Sequence, residues 1–159
     1  MEIERKFLVR KLPNLAGIRK VVYERYYLYK GNGIEIRIQK KMNRYEFERK
    51  IETTHLSRET QKFEITKQEF EFLKGQASEA LVRDSYLISE NPEVSIKIYH
   101  GRFEGLMRAE VEFKTEEEAE KFSAPEWFGS EISNSSLGRD SKLIDLTDEE
   151  FATELKVAV

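Results

Sequence analysis

Apolar and polar side chains alternate along most of this chain. Ile34-Glu35-Ile36-Arg37-Ile38 and Tyr45-Glu46-Phe47-Glu48-Arg49-Lys50-Ile51 place an apolar residue at nearly every second position, the period of a β-strand with two unlike faces. Strand-like segments also cover 21–29, 58–65, 80–88, 94–99 and 106–113, and the chain opens on another, Met1-Glu2-Ile3-Glu4-Arg5-Lys6. Gly31-Asn32-Gly33 predicts a tight hairpin with positive φ, Met42-Asn43-Arg44 a longer one, and 100–105 a third turn. Consecutive strands therefore form an antiparallel meander.

Three Thr-x-x-Glu signatures mark helix starts. Thr66-Lys67-Gln68-Glu69 predicts a short helix through Phe70 and Leu73 that stops near Gly75, while Thr115 and Thr147 open two acidic helices, the last over about 147–157. Segments 123–125 and 134–138 read as ordinary surface loops, and 1–159 reads as a single α+β domain.

The polar faces of the strands are charged as well as hydrophilic. They carry Glu35 and Arg37, then Glu46, Glu48 and Lys50, then Ser95 and Lys97, then Arg108, Glu110 and Glu112. An open antiparallel sheet with water on one side gives this alternation. So does a barrel closed around a charged lumen, which has no free edges. Periodicity alone leaves both open.

Of the 159 residues, 39% are hydrophobic and 36% charged, with a net charge of −3. That suffices for a core and argues against a nucleic-acid partner bound through overall charge, while a basic interior behind an acidic exterior stays compatible. The chain has no cysteine, which excludes disulfides, thiolate metal sites and cysteine nucleophiles and suits a reducing cytoplasm. No stretch approaches the roughly 20 apolar residues of a membrane span and no apolar leader opens the chain, so a soluble, cytoplasmic protein with no membrane partner is expected.

In a strand, Glu2, Glu4 and Lys6 share a face, with the carboxylates about 6.6 Å apart. Two carboxylates aimed at one divalent ion, beside an ammonium for a phosphate oxygen, are the groups that metal-assisted phosphoryl chemistry uses. A second pair, Glu110-x-Glu112, follows the turn that ends at Gly105-Leu106. Other candidates carry less. His55 and His100 have no second ligand at a recognisable spacing, and Trp127 with Tyr23, Tyr26, Tyr27 and Tyr29 reads as packing. Gly31 and Gly33 are hairpin glycines, since no helix opening with Lys-Ser or Lys-Thr follows them.

Glu2-x-Glu4-x-Lys6, Glu110-x-Glu112, about eight charged strands and Pro125-Glu126-Trp127-Phe128-Gly129-Ser130-Glu131-Ile132 together resemble the CYTH superfamily, the triphosphate tunnel metalloenzymes, from Met1 to about Leu143. The resemblance implies a closed eight-stranded antiparallel β-barrel, a tunnel, flanked by short helices. It implies Mg²⁺ or Mn²⁺ held by Glu2, Glu4, Glu110 and Glu112, with Glu2, Glu4 and Lys6 as the catalytic group and Lys6 at a phosphate or orienting the attacking water. Arg37 resembles the second arginine of the family's Arg-x-Arg strand and Lys50 the lysine of the next strand. Arg58, Lys62, Arg83, Lys97 and Arg108 complete the expected substrate-binding set. The implied activity is metal-dependent hydrolysis of a small triphosphate, inorganic tripolyphosphate first and a nucleoside or thiamine triphosphate next. A non-catalytic binder of polyphosphate or nucleotide and an adenylate cyclase are the competing readings, and a homodimer is compatible with the sequence.

The chain also departs from that family. Glu35 stands where the family has its first arginine, Arg83-Asp84-Ser85 lies near its Lys-x-Arg strand, Ser95 and Lys97 replace a usual Glu and Asp, and Lys62-Phe63-Glu64 fills the region of a mid-chain acidic pair. Charge relocation is the expected compensation, with Lys62 and Lys97 taking over from the cations absent at positions 35 and 85.

Overall fold

The computed structural model describes residues 1–77 and 79–159. Its strands are β1 (Glu2–Val9), β2 (Lys20–Gly31), β3 (Ile34–Lys41), β4 (Arg44–Glu52), β5 (Ser57–Ile65), β6 (Leu81–Glu90), β7 (Glu93–Tyr99), β8 (Met107–Phe113) and β9 (Phe128–Glu131). The helices are α1 (Lys67–Lys74), α2 (Glu116–Lys121), α3 (Asp140–Leu143) and α4 (Asp148–Ala158). All strand pairings are antiparallel, and the ring runs β1-β5-β4-β3-β2-β6-β7-β8 and back to β1. The sheet is closed, as expected.

Closure is uneven. One edge of β1 pairs with β8 from Ile3 to Leu8. Its other edge is shared: Glu2 and Ile3 meet Arg58 and Ser57 of β5, while Phe7 and Val9 meet Glu131 and Phe128 of β9. The seam between β1 and β5 is thus two residue pairs long, extended by Glu4 N donating to Leu56 O at 3.2 Å.

Local sequence accounts for most elements. Thr66 and Thr147 each form a complete capping box with the glutamate three residues on, and Gly75 caps α1. Asn32 and Gly33 take positive φ in the β2–β3 hairpin, as predicted. The β3–β4 connection is tighter than predicted: Lys41 pairs with Arg44, leaving two turn residues, and Met42 adopts φ 56. The segment 134–138 is not a surface loop, because Leu137 and Gly138 are buried in a 3-10 turn. β9 and α3 were not anticipated at all. Too short to show a period, they are held by partners distant in sequence.

Because the lumen is charged, two of the three apolar clusters lie on the outer face of the barrel. One, around Tyr26, Ile38, Ile65 and Phe70, sits under α1, and another, around Phe7, Val94, Ala109, Val111 and Phe128, under β9 and the α2 segment. The third is different. Leu8, Leu81, Tyr99 and, just before β8, Leu106 continue the inward faces that carry Lys6, Arg83, Lys97 and Arg108, and pack with Leu137, Leu143 and Phe151 into an apolar plug at one end of the barrel. Among the described residues, no helix is long and apolar enough to cross a membrane.

Candidate active site

The charged faces enclose a cavity of about 170 Å³ lined by all twelve residues singled out from the sequence: Glu2, Glu4, Lys6, Arg37, Lys50, Arg58, Lys62, Arg83, Lys97, Arg108, Glu110 and Glu112. Ten basic and seven acidic side chains face it. The lumen is net positive inside a chain of net charge −3, so the total charge conceals the local field. A second cavity of about 180 Å³ shares Glu35, Lys50, Arg58 and Arg139 with the first.

On the wall formed by β1, β5, β4 and β3, cations rest on the carboxylates of the N-terminal motif. Lys50 Nζ donates to both oxygens of Glu2 at 2.8 and 2.9 Å, and Lys6 pairs with Glu4 at 3.1 Å. Arg58 reaches Glu2 at 3.3 Å, Glu4 at 3.5 Å and Glu35 at 2.8 Å, and Arg37 pairs with Glu48 at 2.8 Å. Burial would raise the Glu4 carboxyl, but Lys6, Lys50 and Arg58 bring it down to about 2 against the repulsion of Glu110. Burial and Arg37 pull Lys50 down to about 8 although Glu2 supports its charge.

Glu2, Glu4 and Glu112 each offer an oxygen, and these atoms lie within 4.8 Å of one another. Burial, the hydrogen bond with Glu93 and repulsion from Glu4, Glu93 and Glu2 push Glu112 up to about 8. Like charges gathered this closely fit a hard divalent cation, whose ligands are oxygens. Glu110 stands apart from the trio: it accepts from Arg108 Nε at 2.8 Å and faces Arg83 at 3.5 Å.

The wall formed by β2, β6, β7 and β8 is organised around a residue the motifs do not contain. Asp140, at the start of α3, pairs with Arg25 at 2.6 Å, Arg83 at 3.0 Å and Arg108 at 3.1 Å, and accepts from the Tyr99 hydroxyl at 2.6 Å. Burial opposes its charge, yet Arg83, Arg108 and Arg25 hold its carboxyl well below the usual range. Gln39 links the two walls, accepting from Arg25 at 2.7 Å and donating to Glu48 at 2.6 Å. Two donors stand out among the described residues. Lys97 Nζ meets Ser85 Oγ at 2.7 Å with no carboxylate in reach, and Arg83 Nε is buried with no hydrogen-bond partner. Burial, with Arg83, Arg25 and Arg108 nearby, brings Lys97 down to about 8 against the pull of Glu110.

At position 85, Lys97 lies opposite Ser85 in register, where the charge relocation places it. At position 35 the partner is a different cation: Arg58 pairs with Glu35, while Lys62 turns to Glu46 at 3.8 Å near the mouth. Tyr23 and Tyr27, expected to be packing residues, line the lumen, and the Tyr23 ring has Arg83, Lys41, Lys97 and Arg25 within 5.9 Å of its centre. His100 bonds Asp84 at 2.7 Å outside the lumen, and His55 borders a small side cavity with Glu4 and Lys6. Arg25, Gln39 and Asp140 escaped sequence reasoning. The alternation of β2 and β3 could have given the first two; Asp140 carries no periodic signal.

No protein-family model matches the chain. An inorganic triphosphatase of Nitrosomonas europaea is 31% identical over 135 residues, covering 82% of this chain and 88% of that protein. The crystal structure of an inorganic triphosphatase superimposes with a TM-score of 0.66 at 26% identity, over 90% of this chain and 93% of the other. A candidate adenylyl cyclase from Hippeastrum, described as having a dominant triphosphatase activity, shares the fold at a TM-score of 0.56 and 13% identity, over 76% of this chain and 83% of that one.

Proposed function

The chain belongs to the CYTH superfamily, and on that premise we propose that it hydrolyses triphosphates within its lumen, inorganic tripolyphosphate being the preferred substrate and Mg²⁺ or Mn²⁺ the ion required. One observation carries this reading: three carboxylates with oxygens within 4.8 Å of one another border the same net-positive cavity as Lys6, Lys50 and Arg58. The anion site and the cation site are contiguous, which phosphoryl transfer requires.

Glu2, Glu4 and Glu112 would hold the divalent ion. Bound there, it supplies charge neutralisation on phosphate oxygens and a bound water of lowered pKa. Lys50 and Arg58 now neutralise Glu2, and they are the groups able to transfer to phosphate oxygens as that carboxylate finds another partner. Arg37 adds planar, bidentate donors and Lys97 a point charge. Lys6 orients the attacking water or holds the phosphoryl it attacks. Water adds to phosphorus, the bridging P–O bond breaks, and pyrophosphate and phosphate leave. A cytoplasmic setting, rich in divalent ions and phosphates, suits this chemistry.

The test is phosphate release from tripolyphosphate, pyrophosphate, ATP and thiamine triphosphate with each metal. Tripolyphosphate turnover that EDTA abolishes and Mg²⁺ or Mn²⁺ restores is expected. Turnover that survives EDTA removes the metal role, and failure with every triphosphate removes the activity.

A further inference from the structure

Beyond its arginine layer the lumen turns apolar. Inward along β8 the lumen face reads Glu112, Glu110, Arg108 and then Leu106, and along β1 Glu2, Glu4, Lys6 and then Leu8, each step about 6.6 Å. Leu8, Leu81, Tyr99 and Leu106 pack there against Leu137 and Leu143, and a phosphoryl group entering that plug would lose its hydration without replacement. The last layer on this wall able to hold an anion is that of Arg25, Arg83 and Arg108. It is already filled, because Asp140 takes all three guanidiniums within 3.1 Å and the Tyr99 hydroxyl at 2.6 Å.

Several guanidiniums and a phenol converging on one oxyanion form a donor set that suits a phosphoryl group equally well. Beside this cradle lie Lys97 Nζ, whose partner is the neutral Ser85 hydroxyl, and Arg83 Nε, which among the described residues has no hydrogen-bond partner. Asp140 comes from α3 and not from a strand, so strand register does not dictate its presence. Its approach depends on Gly138, where an added Cβ would lie 1.9 Å from Ile132 O.

Resting on the triphosphatase reading, we propose that Asp140 is a built-in end stop: it occupies the place of one further phosphoryl group and so limits the length of polyphosphate the lumen accepts. The innermost phosphoryl of a bound triphosphate rests on Lys97 and Arg83 Nε, directly before it.

The test compares kcat/KM for tripolyphosphate and linear tetrapolyphosphate in wild type and Asp140→Asn. Wild type is expected to prefer the triphosphate, and Asp140→Asn to narrow that preference about tenfold, the worth of one charge-assisted contact. Sulfate is also expected to raise the unfolding temperature of Asp140→Asn more than that of wild type, because the guanidiniums, no longer neutralised by the Asp140 carboxylate, attract the anion. If Asp140→Asn fails to fold, Asp140→Asn/Arg25→Gln, which restores the charge balance, replaces it in both measurements. A wild type indifferent to chain length, an unchanged preference in the variant, or equal sulfate responses overturns the end stop. A wild type that cleaves neither polyphosphate overturns the triphosphatase reading, and the sulfate comparison, which needs no turnover, still decides the role of Asp140.

Discussion

The two walls of the lumen carry similar cations and restrain them differently. On the β1, β5, β4 and β3 side, Lys6, Lys50 and Arg58 lean on Glu2 and Glu4, two of the three carboxylates gathered for a divalent ion. On the β2, β6, β7 and β8 side, Arg25, Arg83 and Arg108 lean on Asp140, a fully enclosed partner far from that trio in sequence. A cation whose partner has another ligand to take is exchangeable. A cation whose partner has none is fixed. Strands of one alternating pattern thus make one wall that can rearrange around a ligand and one that serves as its frame.

The sharpest way to break this comparison is turnover. Lys6→Ala and Glu4→Gln, on the exchangeable wall, are expected to lower kcat for tripolyphosphate by about 10²- to 10³-fold while circular dichroism and Tm stay near wild type. Undiminished phosphate release would strip that wall of its chemical role. Next comes stability. Asp140→Ala leaves the buried Arg25 with no carboxylate and Arg83 and Arg108 sharing Glu110 alone, and is expected to cost about 3–5 kcal/mol in urea unfolding. A cost under about 1 kcal/mol would make the frame as dispensable as a surface contact.

The smallest expected effect concerns pH and Lys97. Its ammonium is depressed to about 8, so above that pH the free enzyme loses a positive charge that a substrate anion needs. The sign follows: kcat/KM falls as pH rises through 8, by up to about tenfold per unit. Lys97→Arg stays charged and should abolish that limb, and a limb that persists in the variant would assign it to Lys50 or another group.

How legible this molecule is from sequence depends on whether a residue belongs to a long periodic element. Arg37, Lys50 and Glu110 were found because alternation fixes the face of every residue in a strand of seven to nine, and the helix starts because Thr66 and Thr147 lie three residues before a glutamate. The family motifs then chose a lumen over an open face, which periodicity could not do. Asp140 was invisible for the opposite reason: a four-residue helix has no period, and its position comes from Leu137 and Leu143 packing beneath the barrel. Pairing was equally hidden. That Arg58 answers Glu2 and Glu4 follows from the ring closing, which brings β5 beside β1, and no local pattern encodes that.

The two-pair seam joins these matters. Glu2 sits both in the short β1–β5 ladder and in the carboxylate trio, so whatever draws Glu2 and Glu4 together also fastens the weakest stitch of the cylinder. Amide deuteration at Ile3 and Glu4 should therefore slow on ligation while β2 and β3 stay unchanged, which would make the resting protein a hoop that breathes at one clasp and the loaded protein a hoop that does not.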